Sequence, residues 1–287
     1  MYTRKYNWIS YSILIFSLFM SVSPSTCAQQ LRVATYNIRY DNPGDSGNLW
    51  KDRKSNVAAL IRYHGFEIFG VQEALHHQLN DLSAALPGFA FYGRGRDDGK
   101  TAGEHSSVYW RTDLFELLDK GDFWLSETPD KPGPGWDATL HRICTWVKLK
   151  HKRSGKSFHI FNAHYDHRGV QARIGSSKLI LQKIRSITAD GPVVFMGDLN
   201  GNRESDWYKT LSGSGWLADS HFLAGTVYAP NGSFNAFRTD AVGKDVIDHI
   251  FVTGHFKPQS WAVLTDTYFG KFPSDHFPVF AELTLSR

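Results

Sequence analysis

The chain has 287 residues, of which 41% are hydrophobic and 21% are charged. This is the composition of a globular protein, and it excludes an intrinsically disordered chain, a collagen-like chain and a coiled coil. The formal net charge of +4 is too small to indicate nucleic-acid binding over the whole surface, although a local basic patch stays possible. No repeat or low-complexity linker divides the chain, so we expect one large domain.

The first 28 residues have the three parts of a secretory signal peptide. Arg4 and Lys5 form a positive start, residues 9–22 form an apolar and serine-rich stretch, and Thr26-Cys27-Ala28 supplies small residues before a cleavage site. We therefore expect a signal peptide over residues 1–28 and export to the periplasm or the medium. The apolar stretch is shorter than the ~20 residues of a membrane span. The residues before Cys27 fit lipid attachment poorly, so a lipid anchor at Cys27 is the disfavoured alternative.

Residues 29–287 would then form the mature chain as a single domain. Losing Arg4 and Lys5 leaves 30 basic residues against 28 acidic ones, a net charge of +2. Cys144 would be the sole remaining cysteine, which leaves no internal disulfide and no cysteine metal site. The stability of the mature chain must therefore come from its core.

Short apolar runs recur along the mature chain. They predict β-strands, because each run is short and rich in β-branched or aromatic side chains. The runs cover residues 31–37, 67–73, 106–110, 158–164, 193–198, 246–252 and 279–283. Helical spacing of apolar residues predicts helices from about Asp52 to Gly65, over 75–86 and over 170–188. Proline and glycine predict a loop over residues 126–137, and the basic cluster Lys148 to Arg153 is interpreted as a solvated hairpin turn. The pattern predicts a layered α/β domain with sheet packed on sheet and helices outside.

Polar residues follow several of these apolar runs, at the points where the predicted strands end. Burying a carboxylate or an amide without a partner costs several kcal/mol, so these groups need a shared partner. A divalent cation with a phosphate ligand would serve, and the oxygen-rich set favours Mg²⁺ or Mn²⁺. Zinc is disfavoured without a His-Glu-x-x-His run or a cysteine cluster, although His76-His77 and the pair His164/His167 keep it open. The candidate site residues are Asn37, Glu73, Glu104, His164, Asp166, Asp198, Asn200, Asp248, Asp275 and His276.

Six short motifs occur in a fixed order along the chain. They are Thr35-Tyr36-Asn37-Ile38, Val71-Gln72-Glu73-Ala74, Asn162-Ala163-His164-Tyr165-Asp166, Gly197-Asp198-Leu199-Asn200, Ile247-Asp248-His249-Ile250 and Ser274-Asp275-His276-Phe277-Pro278. This order resembles the endonuclease/exonuclease/phosphatase superfamily of metal-dependent phosphoesterases over about residues 31 to 285, and a branch-specific motif over residues 136–146 is similar to exported bacterial hydrolases of the same superfamily. The resemblance implies a four-layer α/β sandwich, with two packed mixed β-sheets flanked by helices and the site at one rim.

The resemblance also implies a metal site and a water-activating group. Asn37 and Glu73 match the positions that hold the catalytic Mg²⁺, and Asp275 matches a further oxygen ligand. Asp198 matches the carboxylate that orients or deprotonates the attacking water. Mn²⁺ could replace Mg²⁺ in such a site.

The remaining matched residues would act on the phosphate. By resemblance, Asn200 and His164 hydrogen-bond the phosphoryl oxygens, while His276 contacts the phosphate and takes part in proton transfer. Asp248 matches the carboxylate that orients the His276 ring. The expected substrate-binding residues are Glu104, Arg142 and Asp166, whereas His167 departs from the simplest superfamily pattern and has no assigned role.

The sequence offers no Ser or Cys nucleophile in a recognisable frame, so we expect direct in-line attack by water on a phosphodiester or a phosphomonoester. The substrate stays open between a small molecule, a sugar phosphate, a lipid head group and a nucleic acid. A nuclease acting on DNA or RNA is the main alternative, and the near-neutral mature charge argues mildly against it. A catalytically inactive binding module is the remote alternative. No obligate protein partner is indicated, and we expect no transmembrane span in the mature chain.

Overall fold

The computed structural model describes residues 1–5, 29–240 and 243–286. Most of the expected signal peptide lies outside the described residues, including Cys27 and the expected cleavage site after Ala28. Within the described part of the chain, no helix is long and apolar enough to cross a membrane.

Two mixed β-sheets form the centre of the described chain. In spatial order, the seven-stranded sheet consists of β10 (Thr226–Tyr228), β12 (Phe256–Val263), β13 (Val279–Leu285), β1 (Gln29–Asn37), β2 (Ile68–Gln72), β4 (Val108–Arg111) and β3 (Phe89–Tyr92). The six-stranded sheet consists of β5 (Phe115–Trp124), β6 (Ile143–His151), β7 (Ser157–His164), β8 (Val193–Asp198), β11 (Asp248–Thr253) and β9 (Leu217–Asp219). The parallel pairs are β1–β2, β10–β12 and β7–β8.

Helices cover the outer face of each sheet. They are α1 (Trp50–Tyr63), α2 (His76–Ala85), α3 (Val170–Thr188), α4 (Asp206–Ser212) and the single turn α5 (Ser220–Leu223). Side chains of α1 and α2 share one apolar core with the seven-stranded sheet, and those of α3 and α4 share another with the six-stranded sheet. A third core lies between the two sheets. Three cores separate four layers, which confirms the expected four-layer α/β sandwich.

The alternation of side chains in β1 explains why this strand lies at the centre. Leu31 and Val33 belong to the core between the sheets, whereas Ala34 and Tyr36 belong to the core under α1 and α2. All four are fully buried. A strand that is apolar on both faces is stable only where both faces are covered.

One polar contact joins the two sheets across their shared core. Asn162 in β7 donates from Nδ2 to the carbonyl oxygens of Val71 and Ser107, each over 2.9 Å, and accepts from Gln72 Nε2 over 2.6 Å. A Cβ on Gly70 would lie within 2.5 Å of the Asn162 side chain, so only glycine leaves room for this amide. Asn162 lies two residues before the end of β7, and Gln72 is the last residue of β2. The contact therefore joins the two sheets close to the ends of these strands.

The predicted elements agree with the structure at the seven apolar runs and at the three long helices. The interpretation of Lys148 to Arg153 as a turn was wrong for its first four residues, because Lys148 to His151 complete β6 and the turn covers 152–154. Six strands and two short helices were not predicted. They are β3, β5, β6, β9, β10, β12, α4 and α5.

Candidate active site

Strand register brings the acidic and imidazole groups to one rim of the sandwich. In the six-stranded sheet, Asp198 at the end of β8 lies opposite His164 of β7 on one side and opposite Asp248 of β11 on the other. In the facing sheet, β1 ends at Asn37 and Glu73 follows β2 directly. Asn37 Nδ2 donates to Asp198 Oδ2 over 3.0 Å, so the two sheets meet at this point.

Two of the predicted site residues adopt a left-handed backbone within two residues of the ends of their strands. Glu73 has φ 62° and Asn200 has φ 46°. Non-glycine residues pay for this conformation with roughly 1–3 kcal/mol of strain, which surrounding contacts must offset. Asn200 N donates to Asp198 Oδ1 over 2.9 Å, and Glu73 Oε2 accepts from Tyr40 N over 3.2 Å. Both sharp turns therefore bend the chain back over the strand ends.

Glu73 and Asp275 lie on either side of one guanidinium group. Arg39 is 3.7 Å from each carboxylate, too far for a good hydrogen bond, while its close bonds of 2.9 and 3.1 Å go to Asp45. Burial, together with the Glu73 carboxylate, raises the pKa of Asp275 to about 6. Asn37 Nδ2 donates to Glu73 Oε1 over 3.1 Å. The site thus holds neighbouring carboxylates whose negative charge is only partly balanced.

His276 lies between two buried carboxylates. Its Nδ1 is 2.9 Å from Asp248 Oδ2, and its Nε2 is 3.7 Å from Asp198 Oδ2. Burial alone would lower the pKa of His276, but the Asp248 and Asp198 carboxylates outweigh burial and raise it to about 10. Burial, and then Asp248, raise the pKa of Asp198 to about 7. The ring is therefore an imidazolium near neutral pH, and Asp198 titrates in that range.

Ligand atoms of Asp198, Asp248 and His276 lie within 4.8 Å of one another, which is also the spacing of a metal site. The raised pKa of His276 argues against that reading, because an imidazolium carries a hydrogen on both ring nitrogens and has no lone pair to offer a cation. We therefore interpret these three residues as a proton-handling group.

A neutral imidazole lies on the other side of Asp198. Burial, and then Arg142, hold the pKa of His164 well below its usual value. Asn200 Nδ2 donates to the Tyr165 carbonyl over 3.0 Å and lies 3.1 Å from His164 Nε2, so His164 accepts at Nε2 and carries its hydrogen on Nδ1. That Nδ1 has no hydrogen-bond partner in the described chain and is 3.8 Å from Glu104 Oε2.

Two arginines form the wall beyond His164. Arg96 makes a two-pronged ion pair with Glu104, over 2.6 and 2.9 Å. Arg142 is only 4% exposed, and its Nε and Nη1 have no hydrogen-bond partner among the described residues. Its Nε is 3.6 Å from Asp166 Oδ2, and its Nη2 is 3.2 Å from His167 Nδ1.

These groups enclose a cleft of about 550 Å³, within the range of small-molecule sites. Of the residues expected from the sequence, the cleft is lined by Glu73, Glu104, Arg142, His164, Asp198, Asn200, Asp275 and His276. Asn37 and Asp248 lie directly behind this lining, where they hold Glu73, Asp198 and His276.

Asp166 was expected to bind substrate, but it does not line the cleft. It is buried behind Arg142, and its Oδ1 accepts from the backbone N–H groups of Arg168 and Gly169. Its position therefore suits support of the neighbouring loop rather than contact with substrate.

Several residues of the cleft were not assigned from the sequence. Arg39 and Tyr40 follow Asn37 closely, and His167 follows Asp166, so proximity to a motif was the one available signal. Phe234 and Leu140 line the outer cleft from loops, with 42% and 39% exposure. No periodicity marks loop residues, which is why strand-end reasoning missed them.

Known proteins resemble this chain over nearly its full described length. A family model described as Endonuclease/Exonuclease/phosphatase family matches residues 34–276. A crystal structure of an endonuclease/exonuclease/phosphatase family protein from Bacteroides thetaiotaomicron is 44% identical, with a TM-score of 0.89, and the match covers 91% of this chain and 99% of that one. A mannosyl-6-phosphatase from the same organism is also 44% identical, with a TM-score of 0.87 and coverage of 89% and 100%.

More distant proteins share the fold alone. The human Nocturnin catalytic domain is 18% identical with a TM-score of 0.71, and the match covers 90% of this chain and 95% of that domain. Among curated proteins, an uncharacterized protein of Acanthamoeba polyphaga mimivirus is 24% identical over 253 residues, which is 74% of this chain. The chain spans about a third of the length of the curated relatives it matches.

Proposed function

Because the chain belongs to the endonuclease/exonuclease/phosphatase family, we propose that it is an exported, Mg²⁺-dependent phosphatase of small phosphate esters that works by direct attack of water. The observation that carries this proposal is the single cleft in which Glu73, Asp198 and His276 meet. It combines a carboxylate pair suited to a cation, a carboxylate suited to activating water and an imidazolium suited to a phosphate.

The residues that would hold Mg²⁺ are Glu73 and Asp275, with Asn37 beside them. Burial and repulsion by the Glu73 carboxylate raise the pKa of Asp275. Arg39 makes its close hydrogen bonds to Asp45 and not to Glu73 or Asp275. A cation bound between Glu73 and Asp275 would therefore balance their negative charge. Oxygen donors of this kind suit a hard ion, Mg²⁺ or Mn²⁺. When bound, the ion supplies Lewis-acid stabilisation of the phosphoryl oxygens.

The proton-handling residues suit attack by water. A general base works best when its pKa lies near the working pH, and the pKa of Asp198 is about 7. His276, held by Asp248, would donate a hydrogen bond from Nε2 to a phosphoryl oxygen. Neutral His164 would serve as a further donor through its Nδ1–H, which has no hydrogen-bond partner among the residues that the structure describes. Preorganised donors of this kind each contribute about 10²–10³ in rate.

A small substrate is supported by the size of the cleft and by its apolar rim. A cleft of about 550 Å³ suits a sugar phosphate better than a polymer. The 44% identity to a mannosyl-6-phosphatase supports the same class. A nuclease would need phosphate contacts along a groove, and the expected net charge of +2 supplies few.

The test compares hexose 6-phosphates, phenyl phosphate and single-stranded DNA as substrates of the purified mature chain. We expect turnover of the phosphomonoesters that EDTA abolishes and Mg²⁺ restores, with little loss in raised salt. Asp198→Asn and His276→Ala should each lose at least about 10²-fold in kcat. Asp219→Asn is the matched control, since Asp219 is equally buried beside His249 but lies away from the cleft.

Two results would overturn the proposal. One is full activity of Asp198→Asn or in excess EDTA. The other is a strong preference for DNA with a steep loss of activity in salt, which would favour the nuclease alternative.

Export is proposed from the leader pattern of residues 1–28. Cell fractionation of the full chain, followed by intact-mass measurement, should find the protein outside the cytoplasm with Gln29 as its first residue. A cytoplasmic protein that retains Met1 would contradict this part of the proposal.

A further inference from the structure

His167 stands at the mouth of the cleft on a loop held in a fixed shape. The loop joins β7 to α3, and His167 is exposed while still lining the cleft. Asp166 Oδ1 accepts from Arg168 N over 2.9 Å and from Gly169 N over 2.7 Å. These two bonds close a turn around His167 and fix the position of its backbone.

Arg142 decides which nitrogen of His167 carries hydrogen. A guanidinium group can only donate, and Arg142 Nη2 is 3.2 Å from His167 Nδ1. His167 Nδ1 must therefore accept, which makes the ring neutral with its hydrogen on Nε2. Partial desolvation at the cleft, and then the Arg142 charge, lower the pKa of His167, in agreement with a neutral ring.

The Nε2–H of His167 has no hydrogen-bond partner in the described chain. It is therefore free to donate to a substrate, in addition to the donors of His164 and His276 that we assign to the phosphate. Two residues that line the same cleft, Leu140 and Phe234, are apolar and exposed. Phe234 packs edge-on against His276, with 5.0 Å between ring centroids. The cleft thus offers apolar contact area and, at His167, a neutral donor whose hydrogen is fixed on Nε2.

We propose that His167 is a specificity-determining residue whose Nε2–H donates to a hydroxyl oxygen in the alcohol part of the substrate, so that the enzyme favours phosphate esters of polyhydroxylated alcohols such as sugars. Arg142 acts here as a positioning residue, since it fixes the tautomer of His167. The inference rests on the proposed phosphatase function. It adds the part of the substrate that is recognised and the residue that recognises it.

The first test measures kcat/KM for a hexose 6-phosphate and for phenyl phosphate, which has no hydroxyl to offer. His167→Phe should lower kcat/KM for the sugar phosphate by about tenfold, the effect of one lost hydrogen bond, and leave phenyl phosphate within about twofold. His167→Gln should restore much of the sugar preference, because its amide N–H reaches about as far as Nε2–H.

The second test reads the tautomer directly by long-range ¹H–¹⁵N NMR of labelled protein. His167 should show a protonated Nε2 and an unprotonated Nδ1 at neutral pH, and Arg142→Met, which removes the donor to Nδ1, should allow a minor population of the Nδ1–H tautomer. An Nδ1–H tautomer as the main form in the native protein overturns the inference. So does a His167→Phe variant in which kcat/KM falls equally for both substrates, or falls for neither. A native enzyme that hydrolyses neither phosphomonoester overturns the proposed function as well, so the two failures are distinguishable.

Discussion

Replacing Asp248 by Asn should change the pH profile of the enzyme as well as its rate. Asp248 lies behind the cleft, and its Oδ2 is 2.9 Å from His276 Nδ1. An amide keeps the size of the carboxylate but removes its charge. The pKa of His276 would then fall, because burial, which lowers it, would be opposed only by the charges of Asp198 and Asp275.

The magnitude follows from the same pair. A rise from 6.5 to about 10 in the pKa of His276 corresponds to about 5 kcal/mol of preference for the imidazolium form, at 1.36 kcal/mol per pKa unit. Asp248 supplies both the larger of the two main charge effects and a hydrogen bond to the ring, so a large part of that preference should be lost. If the imidazolium assists the reaction, kcat should fall by roughly 10²-fold.

The assay is kcat for a hexose 6-phosphate between pH 5 and about 10, with Mg²⁺ present. In the native enzyme His276 stays protonated until pH approaches 10, so His276 should not limit activity near neutral pH. In Asp248→Asn the loss of activity with rising pH should begin at a lower pH. Asp219→Asn, the buried carboxylate beside His249, should keep the native profile. A native profile in Asp248→Asn would refute the role given to this pair.

Three further predictions concern metal binding and the frame of the site. The contribution of Asp198 and Asp275 to the stability of the metal-free protein should fall as pH rises from about 4 to 7, because their raised pKa values mean that the folded state holds protons the unfolded chain releases. The gain in Tm from saturating Mg²⁺ should therefore grow over that range, and a constant gain in calorimetry would contradict the assignment of the ligands. Asn162→Ala should lower the free energy of unfolding in urea by about 3 kcal/mol or more, since two carbonyl oxygens and an amide lose their partner. A loss below about 1 kcal/mol would show that water replaces the amide. Gly197→Ala should lower both Tm and kcat, because a Cβ there would lie 1.9 Å from the Ala163 carbonyl oxygen and displace Asp198; unchanged kcat would contradict that coupling.

The strand ends of the site could be predicted from the sequence because of a simple energetic conflict. Asp198 follows a run of fully apolar residues, and an ionisable group in that position needs a partner. The same reasoning found Asn37, His164 and Asp248, and the register of β7, β8 and β11 brings the last two beside Asp198.

The strands β5, β12 and β6 were missed in the sequence for different physical reasons. β5 exposes most of its middle residues and lies at the sheet edge, so its polar residues mask the apolar ones. β12 contains Pro258 at a register shift, which resembles a turn in sequence. In β6, buried and half-buried residues do alternate from Trp146 to His151, but its lysines were interpreted as a turn.

Arg142 was expected in the site, but the contacts that the arginines make there could not be predicted, because their partners are distant in sequence. Arg142 reaches His167 across 25 residues, and Arg39 lies between Glu73 and Asp275, which are 202 residues apart in the chain. A carboxylate that directly follows an apolar run is expected to be buried, and a buried carboxylate requires a partner. An arginine in a loop can be hydrated by water, so the sequence alone does not indicate that it has a protein partner. The chemistry of the phosphate can therefore be predicted from strand ends, and recognition of the rest of the substrate depends on loop residues whose contacts only the folded chain defines.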